Sequence, residues 1–305
     1  MINKTAIVGM GALGMLYANQ IIETQGKDAV EFVMDAPRVE KYREQVFTTN
    51  ESPMEYNMTA AEDAHPADLI IVAVKYPALR DALECMKNSV GENTIILSVM
   101  NGVTSEKIIA EHFGAEKVLS TVAQGMDAMK FGNKLTYTQK GELILGRYMQ
   151  TPSQDEKLRE VTRYFDEVGI PYQVDENIQR RMWGKFMLNV GVNQVCMVYE
   201  MGYAQVLAPG DANRMMIAAM REVRAVAEAE GVLVTEKDLT YFVNLLKTLA
   251  PEGVPSMAQD RINKKPSEVD MFAGAVIKMA RRHDIYVPAN QYLHDRVKEI
   301  ERAYI

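Results

Sequence analysis

Three glycines in Gly9-Met10-Gly11-Ala12-Leu13-Gly14 follow the spacing G-x-G-x-x-G, directly after the apolar run Thr5-Ala6-Ile7-Val8. At a strand–turn–helix junction, the first glycine permits the tight turn. The second lets backbone approach a pyrophosphate, and the third lets the helix pack closely on the strand. The helix N-terminus then offers free N–H groups and the positive end of its dipole to the phosphates. Asp35 lies 21 residues after Gly14 and ends a second apolar run, Val30 to Met34. A carboxylate there can accept hydrogen bonds from the adenosine ribose hydroxyls. The expected chemistry is dinucleotide binding.

A second group of polar residues interrupts an apolar helical pattern. Lys185, Asn189 and Asn193 recur at i, i+4 and i+8 among Phe186, Met187, Leu188, Val190, Val192 and Val195. That spacing puts all three on one helix face. Asparagine is a poor residue for an exposed helix interior, and a buried lysine or amide without partners is costly. A stripe facing a cleft fits better than a solvated face. Further on come Pro255-Ser256-Met257-Ala258-Gln259-Asp260 and Pro266-Ser267-Glu268. Ser267 with Asp270 reads as a capping box opening a helix, and Glu268 could merely complement that helix's dipole.

The elements that must position these residues fall into two halves. In the first, strands are expected at 5–8, 30–34, 67–74, 94–99 and 118–123, with helices at 12–24, 78–88 and 105–112. Strand–helix alternation implies an α/β parallel sheet, and the near-continuous apolar run of 67–74 suits a strand covered on both faces. Leu135 to Thr138 and Glu142 to Leu145 flank Lys140-Gly141 and look like a hairpin; a helix over 155–168 follows, stopped by Gly169 and Pro171. Beyond Val174 the pattern is helical, over roughly 177–206, 212–230, 236–249 and 267–283. The expected fold is therefore α/β: an N-terminal Rossmann-type dinucleotide-binding domain over 1–175 and an all-helical C-terminal domain over 176–305.

Composition narrows the function classes. The chain has 305 residues, 48% apolar and 25% charged, with a formal net charge of −7. Two domains is the default at this length, and an acidic chain argues against nucleic-acid binding. The two cysteines, Cys85 and Cys196, and the scattered histidines form no zinc pattern and no disulfide framework. No run of about 18 apolar residues suggests a membrane span, and no signal peptide is expected, so the cytoplasm is the natural compartment.

Taken jointly, these motifs resemble the 2-dehydropantoate 2-reductase (ketopantoate reductase) family over nearly the whole chain. The resemblance rests on the glycine loop, Val74-Lys75, Asn101-Gly102, Trp183-Gly184-Lys185 with Asn189 and Asn193, Ser256-Met257-x-Gln259-Asp260, and Glu268. It implies a catalytic cleft between a Rossmann domain and a helical domain, with Lys185 as catalytic lysine and Glu268 as active-site glutamate. Asn189, Asn193 and Ser256 match substrate-holding positions. Lys75 and Asn101 match positions near the cofactor and the reacting centre. Three positions depart from the pattern: Gly253 and Tyr203 stand where relatives carry asparagine, and Asp35 stands where an arginine is common.

The implied reaction is NAD(P)H-dependent reduction of ketopantoate to pantoate, on the way to pantothenate and coenzyme A. An ammonium at Lys185 would stabilise charge developing on the carbonyl oxygen and donate the proton. Glu268 would orient the substrate hydroxyl or the lysine. Asp35 leads to the expectation that NADH serves at least as well as NADPH. The partner is a small 2-keto acid, with no metal, and a homodimer is one arrangement open to the chain. Two alternatives remain: a relative reducing another small 2-keto acid, and a non-catalytic NAD(P)H sensor. A hydroxy-acid dehydrogenase of the 6-phosphogluconate type fits less well with Lys185 and Glu268.

Overall fold

A computed structural model describes residues 1–304, and the chain divides into two compact units, Met1–Ile178 and Gln179–Ile305. The first unit begins β1 (Thr5–Val8), α1 (Ala12–Gln25), β2 (Val30–Met34), α2 (Ala36–Arg43), β3 (Phe47–Thr49), β4 (Ser52–Met54) and β5 (Asn57–Ala60). It continues with β6 (Ala67–Val72), α3 (Leu79–Met86), β7 (Val90–Ser98), α4 (Ser105–Phe113) and β8 (Val118–Met126). It closes with β9 (Met129–Phe131), β10 (Lys134–Thr136), β11 (Lys140–Arg147), α5 (Pro152–Val168) and β12 (Tyr172–Val174).

The main sheet has eight strands in the order β12-β11-β8-β7-β6-β1-β2-β5. From β8 to β5 every pairing is parallel, and β11 joins antiparallel to β8. Both faces are covered, as the apolar runs require. Ile7, Leu69, Ile71 and Leu97 pack with Met15 and Tyr17 of α1 and with Phe165 of α5. Ala6, Val8, Ile70, Val72 and Ile96 pack on the opposite face with Leu83 and Met86 of α3 and Ile109 of α4. This is the Rossmann-type arrangement expected.

The expected hairpin around Lys140-Gly141 does not form. β10 pairs with β9 and β3, in a separate four-stranded sheet ordered β4-β3-β10-β9. β11 instead pairs with β8 over seven residue pairs, from Lys140 with Met126 to Arg147 with Leu119. Alternation predicted the strands but not their partners, because register depends on which distant apolar face is on offer. The sequence predicts no element between residues 34 and 67, where the strands β3 to β5 are only three or four residues long.

Among the described residues the second unit holds helices and no strands: α6 (Ile178–Tyr199), which starts on the last residue of the first unit, α7 (Tyr203–Leu207), α8 (Asp211–Ala229), α9 (Glu236–Leu246), α10 (Ser256–Ile262), α11 (Ala273–Arg282) and α12 (Pro288–Arg302). Buried α6 runs through its core. A Cβ at Gly184 would lie 2.2 Å from the ring of Phe242, so the glycine admits α9 against α6. The helix expected over 177–206 is broken between α6 and α7, where Glu200 takes a positive φ of 55°.

The helix expected over 267–283 starts six residues late, at Ala273, and the Ser267–Asp270 capping box is absent. The backbone N–H of Ser267 donates to Glu301 at 2.7 Å, while Asp270 is engaged by His294 at 3.1 Å and by Lys298 at 2.6 Å. Tertiary partners have taken the groups the local motif would have used. Among the described residues no helix is long and apolar enough to cross a membrane.

Candidate active site

In the first unit the candidate residues lie along the carboxyl edge of the parallel strands. The glycine loop follows β1, Asp35 follows β2, Lys75 follows β6 and Asn101 follows β7, and these four strands are neighbours in the sheet. That edge is where open α/β sheets bind ligands. Gly9 has φ 110°, and a Cβ there would lie 2.5 Å from the Ala73 carbonyl oxygen. At Gly14 a Cβ would meet the Gly9 carbonyl oxygen at 2.0 Å. Gly11 differs: its Cβ would have one neighbour, at an ordinary 3.6 Å. Two glycines are therefore demanded by the turn and by helix packing, while the middle one keeps a concave surface clear. Gly11 is also the N-cap of α1, with no capping side chain and no acid in the first turn. The N–H groups there suit an anion.

Beside the loop is a pocket lined by Gly9, Met10, Val33, Met34, Arg38, Tyr42, Val74 and Asp81, among others. Arg38 belongs to that lining. Asp35 acts as the N-cap of α2: its Oδ1 accepts from the Arg38 backbone N–H at 2.9 Å, and its Oδ2 lies 3.2 Å from Arg38 Nε. The carboxylate singled out from the sequence is thus paired with the cation next to it.

One residue of this edge escaped the sequence reading. Glu106, in the first turn of α4, is 2% exposed. Ser105 Oγ donates to its Oε2 at 2.9 Å, and Ser98 Oγ donates to Ser105 Oγ at 2.9 Å. The chain ties the end of β7 to α4, across the loop that carries Asn101. Burial pushes the Glu106 carboxyl up to about 7, against the opposing hydrogen bonds. A glutamate at a helix start reads from sequence as a dipole partner, so only its burial distinguishes it.

In the second unit, Lys185, Asn189 and Asn193 lie on α6 as the spacing predicted. Burial holds the Lys185 ammonium down to about 8, and the Glu268 carboxylate pulls the other way. The two expected catalytic groups are therefore close enough to interact electrically, although Glu268 sits in the connection before α11 rather than on a helix. Asn193 is 5% exposed; its Oδ1 accepts from Ser256 Oγ at 2.9 Å and from the Met257 N–H at 3.3 Å. Ser256 is the first residue of α10, a seven-residue helix that the sequence pattern does not predict. Arg261 fastens the other end of α10 by donating to the Met197 carbonyl at 2.6 Å. The stripe, Ser256 and Glu268 thus gather around one side of α6.

Neither cysteine adds chemistry. Burial pushes the Cys196 thiol up to about 12 and raises that of Cys85. No group of three or more metal-binding side chains occurs among the described residues.

A Rossmann-type sheet with an open glycine loop, followed by a helical unit carrying a half-buried lysine and a glutamate, defines a two-domain oxidoreductase. Comparison with known proteins gives the family. Residues 5–150 match the model of ketopantoate reductase PanE/ApbA, and residues 177–301 match that of its C-terminal domain. The chain belongs to the ketopantoate reductase family. It is 26% identical to a 2-dehydropantoate 2-reductase of Aquifex aeolicus (strain VF5), covering 99% of this chain and 98% of that one. A crystal structure of a PanE/ApbA family ketopantoate reductase from Ralstonia eutropha JMP134 superposes with TM-score 0.83 at 23% identity, covering 99% of both chains. The complex of D-mandelate dehydrogenase with NADH superposes with TM-score 0.87 at 20% identity, covering 99% of this chain and 100% of that one. Both structures share its fold.

Proposed function

We propose that this chain reduces 2-dehydropantoate to pantoate with a reduced nicotinamide dinucleotide. The observation that carries the reading is the pairing of Lys185, its ammonium held down to about 8, with the Glu268 carboxylate in a chain of this family. The first unit holds the cofactor, through Gly9, Met10, Gly11, Ala12, Leu13 and Gly14 with Asp35, Lys75 and Asn101. The second unit, taken from about residue 176, holds the substrate and the catalytic groups.

The cofactor, when bound, supplies the hydride to the keto carbon. The protein's own residues do the rest. As the carbonyl becomes an alkoxide, the Lys185 ammonium stabilises the growing negative charge and delivers a proton to that oxygen. An amine with a depressed pKa is a better acid for this step than an ordinary lysine. Glu268 orients the substrate hydroxyl or the lysine. Asn101, Asn189 and Asn193 supply amide hydrogen bonds, and Ser256 contacts the substrate carboxylate by turning its single hydroxyl hydrogen from Asn193 Oδ1 to the acid. With its Oδ1 already accepting from Ser256 and Met257, Asn193 has its Nδ2 donors to offer.

For the cofactor we retain the expectation that NADH serves at least as well as NADPH, and assign the choice to the Asp35–Arg38 pair. Ribose hydroxyls can donate to Asp35. A 2′-phosphate would meet that carboxylate, and two like charges about 5 Å apart at an effective dielectric near 20 repel by roughly 3 kcal/mol. Arg38 offsets part of this by turning from Asp35 to the phosphate.

A second reading, reduction of another 2-keto acid, draws support from Tyr203 and Gly253. The Tyr203 N–H donates to the Gly253 carbonyl at 3.0 Å, and a Cβ at Gly253 would lie 3.1 Å from the Tyr203 ring. The tyrosine has filled space that a side chain at 253 would need. The test is loss of reduced-nicotinamide absorbance against a panel of 2-keto acids, with the product identified by mass spectrometry. Turnover of ketopantoate at least tenfold better than any other acid is expected. Preference for another acid selects the second reading, and binding without turnover of any of them would leave a sensor.

A further inference from the structure

Strand β9 reads Met129-Lys130-Phe131, and its burial runs against its chemistry. Met129 is 44% and Phe131 53% exposed, while the lysine between them points inward. Alternation along a strand forces that choice, because one face must carry the lysine and the other the two apolar residues. The inward face leads to the glycine loop. Lys130 Nζ donates to the Met10 carbonyl oxygen, within G-x-G-x-x-G, and lies 5.8 Å from the ring centroids of both Tyr42 and Phe47. Burial lowers the lysine's pKa, with no carboxylate opposing the shift. None of the ion pairs described for this chain involves Lys130, so a half-buried cation stands beside the phosphate-binding loop with two aromatic faces for company.

A half-buried ammonium without a counter-charge is unfavourable unless something supplies the missing anion. Aromatic faces compensate weakly. We propose that Lys130 is a cofactor-binding residue whose ammonium, held by the Met10 carbonyl, receives the dinucleotide's pyrophosphate over the glycine loop. One N–H of Lys130 is spent on Met10, leaving two donors for phosphate oxygens. The helix N-terminus at Gly11 and the ammonium then bracket the same charge. Tyr42 lines the neighbouring pocket together with Arg38, so the 2′-phosphate of NADPH is the other phosphate in the vicinity. The position of Met10, next to the N-cap of α1, favours the pyrophosphate.

The inference rests on the reading of the glycine loop as a dinucleotide site. Its test is fluorescence titration of NADH and of NADPH into the full-length wild type, Lys130→Met and Lys130→Arg. Methionine keeps the unbranched apolar stem against Tyr42 and Phe47 and deletes the charge; thermal melting checks that the variant is folded. The expected result is a Kd for both cofactors raised about tenfold or more in Lys130→Met, largely restored in Lys130→Arg, with the difference shrinking as salt is raised. Unchanged Kd values in a folded Lys130→Met would overturn this proposal and leave the dinucleotide reading intact. Loss confined to NADPH would overturn the pyrophosphate assignment in favour of the 2′-phosphate. A wild type that binds neither cofactor would remove the dinucleotide reading and this inference together.

Discussion

Ser256, the first residue of α10, donates its hydroxyl hydrogen to Asn193 of α6 at 2.9 Å, and the same amide oxygen accepts from the Met257 N–H. A buried amide thus fixes the start of a helix, and the serine next to it is held in place before any substrate arrives. The serine has one hydroxyl hydrogen, so contact with a substrate carboxylate exchanges the bond to Asn193 for one to a charged group.

Ser256→Ala should raise KM for the keto acid about tenfold, since a hydrogen bond to a charged group contributes roughly 1.5 to 3 kcal/mol. Asn193→Ala should do the same and also lower thermal stability, because it strands the buried Met257 N–H at a cost of about 1 to 3 kcal/mol. Steady-state kinetics and melting curves separate the two effects. If Ser256→Ala leaves KM untouched, the serine's role is confined to its bond with Asn193.

Lys185→Ala should lower kcat at least a hundredfold or so while leaving the cofactor Kd nearly unchanged. The acting form is the ammonium, and burial brings its pKa down to about 8. Activity is therefore expected to be full below that value and to decline as pH rises through it. The pH dependence of kcat/KM reads this directly in the free enzyme. A rate that climbs between pH 8 and 9, or an alanine variant keeping a third of kcat, would exclude Lys185 as the acid.

Cofactor choice should follow the pair at the end of β2. Arg38→Ala should lower kcat/KM with NADPH about tenfold and change that with NADH little, because the exposed Asp35–Arg38 bridge is itself worth little. Asp35→Ser should shift preference the other way. A wild-type preference for NADPH of tenfold or more would contradict the assignment, as would an Asp35→Ser variant with no relative gain for NADPH.

Glu106 predicts a pH effect on stability. Its carboxyl holds a proton up to about 7 in the folded chain, against an ordinary value of 4.5. Between those values the folded state binds more protons than the unfolded one, so this group's contribution falls as pH rises through that window and levels off above it. Glu106→Gln removes the titration and keeps the shape. The melting temperature of Glu106→Gln minus that of the wild type should increase by several degrees between pH 5 and pH 8. A constant difference would mean the carboxyl is already ionised at pH 5.

What could be read from the sequence was whatever depends on near neighbours along the chain. The apolar run 5–8, the glycine spacing and the start of α1 follow from local backbone geometry, so the loop and its helix were legible outright. Lys185, Asn189 and Asn193 share a face because a helix has one period, and that too needs no tertiary knowledge. Local signals misled where a distant group offered a better partner. β11 left β10 for β8; Ser267 turned to Glu301; Asp270 turned to His294 and Lys298. Asp35 also caps α2 and pairs with Arg38, local contacts that a ribose at this carboxylate would share. Lys130 gave no signal at all, since a lysine between a methionine and a phenylalanine is an ordinary string of residues. Its meaning comes from a carbonyl 120 positions away in the chain, brought alongside by strand pairing that no local window contains.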